Sequence, residues 1–417
     1  MIDLSLFDEA PFDPGQSHCP ILKDEPSRFD GGHEELFDHL IVGAALKGAS
    51  DITIQTETRP RVQIHGRQHF GMIRPLSATE VEIILIRLWG SNDASAIIRQ
   101  ARALDFSYEV RVKRGQRQRY RVNATGIQKD GVNAIEITLR ALPETTPTFE
   151  SVSLELELRD HLVPRSGLIV IAGATGQGKS TTMAAITRHH LESDPARKII
   201  DLQAPIEFAY TDILNDREDR ASVIGQSEIG EGRNLRTFAE GVWTALRRAP
   251  QVINVGEARD RETMTAAIEA CLTGHIVNTT THAGSIAEAL RRMASVFPAE
   301  EREGRAFDLI TSLQLCVVQH LIRTGDERGR VPVREYLLFD DDIRQRFTSV
   351  PVGSWTDVVT QLLEDPPDAA LAKPLWRSAV DLVQAGRITK DEARRFVPRS
   401  KLLAVEGSGE RIVENVR

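Results

Sequence analysis

A chain of 417 residues has room for two or three domains with cores of their own. At 41% hydrophobic and 27% charged residues it is not a wholly disordered chain, and no apolar stretch reaches the length of a bilayer-spanning helix. A net charge of -8 argues against general nucleic-acid binding, which needs a basic surface to neutralise phosphates.

Residues 1–33 read as a flexible acidic tail, rich in Asp, Glu, Pro and Gly with no sustained period. The first ten residues carry acids and no basic segment, unlike a secretory signal. Over residues 34–47, Leu36, Phe37, Leu40, Ile41 and Ala44 recur at helical spacing, and Gly48 supplies a stop. Ile52 and Ile54, then Val62 and Ile64, alternate as half-buried strands do. Phe106, Tyr108, Val110 and Val112 alternate again, as do Tyr120 and Val122. The polar Lys113-Arg114-Gly115-Gln116-Arg117 between them predicts a β-hairpin. Ile135, Ile137 and Leu139 share one face of a further strand. Residues 34–142 therefore read as an α+β domain with an antiparallel sheet. Arg121 and Arg140 face away from its core, and taken alone they are solvated strand arginines.

Residues 143–149, with Pro143 and Pro147, read as a linker. Beyond it the character becomes α/β. Leu168-Ile169-Val170-Ile171-Ala172 is a continuous apolar run, as a strand buried on both faces requires. Ile199-Ile200 and Val252-Ile253-Asn254-Val255 read as further central strands, with helices between them, which implies a parallel sheet over residues 150–345. Residues 346–417 read as a helical extension, amphipathic at 355–364 and 375–384. Cys19, Cys271 and Cys316 are widely spaced and odd in number, and read as reduced cytosolic thiols.

The strongest chemical signal is Gly173-Ala174-Thr175-Gly176-Gln177-Gly178-Lys179-Ser180, a full phosphate-loop pattern between an apolar strand and an amphipathic helix. Its glycines let the backbone aim N–H groups at phosphate oxygens. The helix that starts near Lys179, with Thr181 in its first turn, adds its positive dipole end. Lys179 suits the β- and γ-phosphates of ATP, and the Ser180 hydroxyl suits Mg²⁺. Glu257, at the end of a buried strand, and Glu207, in Pro205-Ile206-Glu207-Phe208, can both reach the carboxyl edge of the sheet. Each alone reads as readily as a solvated acid. His275 and His282 flank an apolar and threonine-rich strand, where a histidine is more often structural.

In series, these pieces resemble the secretion ATPase superfamily, which includes pilus-retraction (PilT-like) ATPases and those of type IV secretion and conjugation. The resemblance covers roughly residues 34–345. Gly48-Ala49-Ser50-Asp51 resembles the signature of the family's PAS-like N-terminal domain, and Arg119-Tyr120-Arg121-Val122-Asn123 resembles its arginine strand. Pro205-Ile206-Glu207-Phe208 resembles the Asp box, and Gly256-Glu257-Ala258-Arg259-Asp260 resembles Walker B. The run from Gly274-His275 to Thr281-His282 resembles the His box.

The resemblance implies a RecA-like P-loop core, ATP and Mg²⁺ as ligands, and Glu257 as the acid that orients water. Lys179 and Glu207 join it as catalytic residues. The resemblance also implies Arg121 and Arg140 as arginines that approach the γ-phosphate, and His275 and His282 as couplers of nucleotide state to movement. It further implies a homo-oligomer, a hexamer, in the cytoplasm and peripheral at the inner membrane through a secretion or conjugation complex. No direct nucleic acid is expected. Two departures stand out. Gln203-Ala204 replaces the usual acidic pair before Pro-Ile-Glu, and Ala249-Pro250-Gln251 replaces Asp-Pro-Asp. Arg247-Arg248-Ala249-Pro250 and Ala204-Pro205-Ile206-Glu207 look closer to the type IVB secretion (DotB-like) ATPases and their conjugative-plasmid relatives. Two rivals stay open: a nucleic-acid-dependent ring motor, suggested by the basic hairpin, and a nucleotide-dependent assembly protein with weak catalysis, suggested by Gln203.

Overall fold

The computed structural model describes residues 2–8, 16–29, 35–64, 67–113, 116–215, 221–325, 329–366, 368, 370–398 and 401. The chain divides into two compact units, Met1–Thr145 with Pro205–Ala209, and Thr146–Ala204 with Tyr210–Arg417.

The first unit is built on a six-stranded antiparallel sheet. Its strands are β1 (Ala49–Gln55), β2 (Arg61–Ile64), β3 (Arg67–Phe70), β4 (Leu104–Lys113), β5 (Gln116–Lys129) and β6 (Val132–Leu142), ordered β3-β2-β1-β6-β5-β4. The alternation that predicts these strands also fixes their buried face: Ile52, Ile54, Phe106, Tyr120, Val122, Ile137 and Leu139 are all buried there. The helices Glu35–Leu46 and Ala78–Trp89 add Phe37, Leu40, Val81 and Leu85 to the same core. Ser77 and Glu80 close a reciprocal capping box at the start of the second helix.

The N-terminal residues depart from the expected flexible tail. Among the described ones, Phe7 bridges to Leu22 and His18 to Phe70. Phe7, Cys19, Ile21, Leu22 and Phe29 are buried in the core of this unit, and Phe29 meets Phe37 edge-on with centroids 5.9 Å apart. These N-terminal apolar residues lie outside any helix or strand, so they leave no period to read. The Asp13-Pro14-Gly15 and Asp30-Gly31-Gly32 turns and the hairpin tip at residues 114–115 lie outside the described residues.

The second unit carries an eight-stranded sheet. Its strands are β7 (Gly167–Ala172), β8 (Lys198–Gln203), β9 (Val223–Glu228), β10 (Val252–Val255), β11 (Ile276–Thr281), β12 (Leu313–Arg323), β13 (Arg330–Leu338) and β14 (Ala372–Lys373). The order is β14-β13-β12-β7-β11-β10-β8-β9. The strands from β12 to β9 run parallel, and β13 and β14 add antiparallel at one edge. Every residue of β7, β10 and β11 is buried, as central strands with helices on both faces must be.

The C-terminal part is more than a helical extension. It contributes the edge strand β14. Trp355, Val359 and Leu362, from helix Trp355–Glu364, join the main core. Helix Leu375–Gln384 packs Ala379, Val380 and Val383 against Ile322, Val331 and Val333 of β12 and β13. Among the described residues no helix is long and apolar enough to cross a membrane.

Candidate nucleotide site

The phosphate loop connects β7 to the helix Lys179–Glu192. Gly173, Gly176 and Gly178 have φ of 154°, 77° and 75°. A Cβ at Gly173 would lie 2.6 Å from the Gln319 carbonyl oxygen, so this turn accepts only glycine. Lys179 is 9% exposed, and its ammonium donates to the carbonyls of Gly173 (2.8 Å) and Ala174 (3.0 Å). The cation is thus folded over the loop. Ser180 and Thr181 follow it in the first helical turn, both partly exposed.

Two neighbouring strands end beside this loop. Pairing of β11 with β7 sets Thr281 against Ala172, and the Gly173 N–H donates to the Thr281 carbonyl. His282 therefore emerges next to the loop. Glu257 follows β10, whose tip is fixed by the Thr280 hydroxyl donating to the Gly256 carbonyl at 2.6 Å. His282 Nε2 lies 3.8 Å from the Glu257 carboxylate. Burial and the Lys179 charge lower the His282 pKa from 6.5 against the pull of Glu257, so the imidazole is neutral at pH 7. Lys179, Ser180, Glu257 and His282 share one edge of the sheet.

Gln203 sits at the same edge and carries no charge there. Its amide donates to Asp201 at 2.7 Å, and Gln226 donates to the other oxygen at 2.8 Å. Burial raises the Asp201 pKa. The glutamine serves a buried acid one step back along β8.

His275 is not brought to this group, contrary to the sequence expectation. It precedes β11, and its carbonyl accepts from the Gly167 N–H at the start of β7. A six-residue strand separates it from His282, roughly 20 Å at the usual rise per residue. His275 instead lines a cleft of about 420 Å³ with Arg165, Arg197 and Gln251 at the opposite edge.

In the first unit, Arg121 and Arg140 are direct cross-strand partners. Asp105 accepts from Arg121 (2.6 Å) and Asp51 from Arg140 (2.8 Å). The two guanidiniums thus lie side by side on one sheet face, each held by a flanking carboxylate. Glu207 lies in Pro205–Ala209, which groups with this unit. Arg119, 9% exposed, donates to the carbonyls of Ile206 (2.5 Å) and Glu207 (2.9 Å). Arg117 and Arg119 both face Glu109, so these two hairpin arginines are already matched by an acid.

Sequence reasoning did not identify Gln319 and Arg334. Gln319 Nε2 donates to the Gln177 carbonyl at 2.6 Å, and its Oε1 accepts from Thr182 at 2.9 Å. Arg334 Nε donates to that same oxygen at 2.8 Å. Their signal was a polar pair breaking each of two apolar runs, Gln319-His320 after Cys316-Val317-Val318 and Arg334-Glu335 after Val331-Pro332-Val333.

Residues 29–356 match the family described as type II/IV secretion system protein. The chain is 31% identical over 324 residues to the type IV pilus retraction ATPase PilT of Pseudomonas aeruginosa, covering 75% of this chain and 88% of that protein. Among solved structures it is similar to the ATPase DotB of Legionella pneumophila, with a TM-score of 0.79 and 36% identity over 92% of this chain and 98% of that one. It is also similar to the pilus retraction motor PilT with bound ADP, with a TM-score of 0.72 and 27% identity over 87% of this chain and 97% of that one.

Proposed function

The chain belongs to the type II/IV secretion system protein family, and from that premise we propose that it hydrolyses Mg-ATP as one subunit of a ring that drives a type IV secretion, conjugation or pilus machine. The observation that carries this reading is the meeting of the phosphate loop with Glu257 and His282 at the carboxyl edge of the parallel sheet. The residues present fit a magnesium nucleotide. A buried lysine already held by carbonyl oxygens, a glycine cradle and a partly exposed Ser180 hydroxyl are the donors a triphosphate and its metal require.

Lys179 neutralises the β- and γ-phosphates, moving from its loop carbonyls to phosphate oxygens. The amides of residues 173–181 cradle the same groups. Ser180 would hold Mg²⁺, which would supply charge neutralisation. Glu257 orients the attacking water, and Glu207 is a second acid for water or metal. Arg121 and Arg140 are the arginines for the γ-phosphoryl group. His282, beside Glu257, reports whether that group is present. Loss of one phosphate then biases a two-state hinge at residues 143–147. Six subunits, in the cytoplasm and peripheral to the inner membrane, would pass force to a membrane-embedded complex. The similarity to DotB supports a type IVB or conjugative machine over pilus retraction.

The test is phosphate release by the purified full chain with Mg-ATP. Lys179→Ala should lower turnover about 10²–10³-fold or more, as loss of one fixed charge at a transferring phosphoryl group does. Equal turnover in wild type and variant would refute the reading.

A further inference from the structure

Residues 146–155, at the start of the second unit, are wired to the phosphate loop through a buried pair on β12 and β13. Gln319 of β12 and Arg334 of β13 lie directly opposite each other, 2% and 0% exposed. The Gln319 amide is used at both ends, accepting from Thr182 and Arg334 and donating to the Gln177 carbonyl. The Gln177 side chain returns the contact by accepting from the Leu321 N–H at 2.5 Å. The other face of Arg334 donates to the carbonyls of Val152 (2.7 Å) and Ser153 (2.7 Å) and to Glu155 (2.9 Å). Ser153 takes a left-handed φ of 46° there. A second clasp holds the start of the same segment. Arg188 donates to the Thr146 carbonyl at 2.8 Å, and Phe149 lies on His189 with centroids 4.6 Å apart. Both partners belong to the helix that begins at Lys179.

Packing alone does not ask for this arrangement, because an apolar side chain fills such a site at lower desolvation cost than a guanidinium. A fixed fork of donors does something an apolar side chain cannot: it sets several carbonyls and one amide in a single register. We propose that Gln319 and Arg334 are positioning residues for the phosphate loop and transmit its nucleotide state to residues 146–155. When phosphate enters, Gln177 and Thr182 are the loop and helix residues whose shift Gln319 senses. Arg334 then carries the shift to Val152 and Ser153. The inference rests on the nucleotide reading of the loop.

The experiment measures Mg-ADP affinity by calorimetry and amide exchange of residues 146–155 with and without Mg-ADP. It uses the full chain as wild type, Gln319→Met, Arg334→Met and Arg334→Lys. Wild type should gain protection at 146–155 on binding. Gln319→Met should bind about 10-fold more weakly, the effect of one lost buried hydrogen-bonding group, and lose the nucleotide-dependent protection. Arg334→Met should bind but fail to protect 146–155, with partial return in Arg334→Lys. If Arg334→Met does not fold, Gln319→Met, which removes no charge, decides. Wild-type affinity and wild-type protection in Gln319→Met would overturn the proposal whatever happens to stability. Wild type that binds nucleotide without any change at 146–155 would overturn it alone, whereas wild type that binds none would overturn the functional reading first.

Discussion

The two edges of the parallel sheet carry the same kinds of residue and put them to different use. At the carboxyl edge, His282 lies beside Lys179 and Glu257 and is partly exposed. At the amino edge, His190 is fully buried, and its Nδ1 must accept from Arg197, which can only donate, at 2.6 Å. His275 lies at that amino edge too, in an open cleft. One motif spans both edges because β11 runs between its two histidines. A motif read from sequence therefore names two residues that a strand holds apart. What distinguishes a site from a scaffold here is the end of the strand on which a residue falls.

Four measurements can break that contrast or sharpen it. Glu257→Gln should lower hydrolysis about 10²–10⁴-fold while keeping nucleotide affinity, as single-turnover kinetics and calorimetry can read. Unchanged turnover would remove the carboxyl edge from the chemistry. His282→Ala should cost about 10-fold in kcat. The wild-type rate should be flat above pH 6.5 and fall below it, since the folded imidazole titrates under its ordinary value of 6.5.

At the amino edge the expected effect is on stability. Burial, then Arg197, hold the His190 pKa down at about 3. A depressed folded pKa means stability is fully present above the ordinary 6.5 and is lost as pH falls from there toward about 3. The expected slope for one proton is about 1.4 kcal/mol per pH unit. His190→Gln should flatten it, and denaturant titrations at several pH values check this. Last, His275→Ala should leave the turnover of an isolated subunit within about two-fold, the surface-substitution range of roughly ±0.5 kcal/mol. A larger loss there would mean the amino edge also reports on nucleotide.

The α/β RecA-like fold was legible because its strongest local signals are physical necessities. A strand buried on both faces needs an unbroken apolar run, and a phosphate cradle needs glycines at fixed spacing. Glu257 could be placed because β10 ends two residues before it. Other features had no periodic signal. Phe7, Ile21 and Phe29 are buried without belonging to a helix or a strand. The length of β14, two residues, is below what any pattern detects. Gln319 and Arg334 were visible only as polar interruptions, which a strand boundary explains equally well until the β12–β13 register pairs them. Gln203 looked like a lost acid, but it donates to Asp201, a partner two residues back whose burial the sequence does not show.

The grip of Arg119 on Ile206 and Glu207 bears on modularity. Because Pro205–Ala209 groups with the residues before Thr146, the polypeptide crosses its own unit boundary three times rather than once. A fragment ending at Thr145 would deprive Arg119 of two carbonyl acceptors, so the N-terminal part cannot be excised cleanly or exchanged by a single crossover. Gene shuffling would have to move Pro205–Ala209 together with the residues before Thr146.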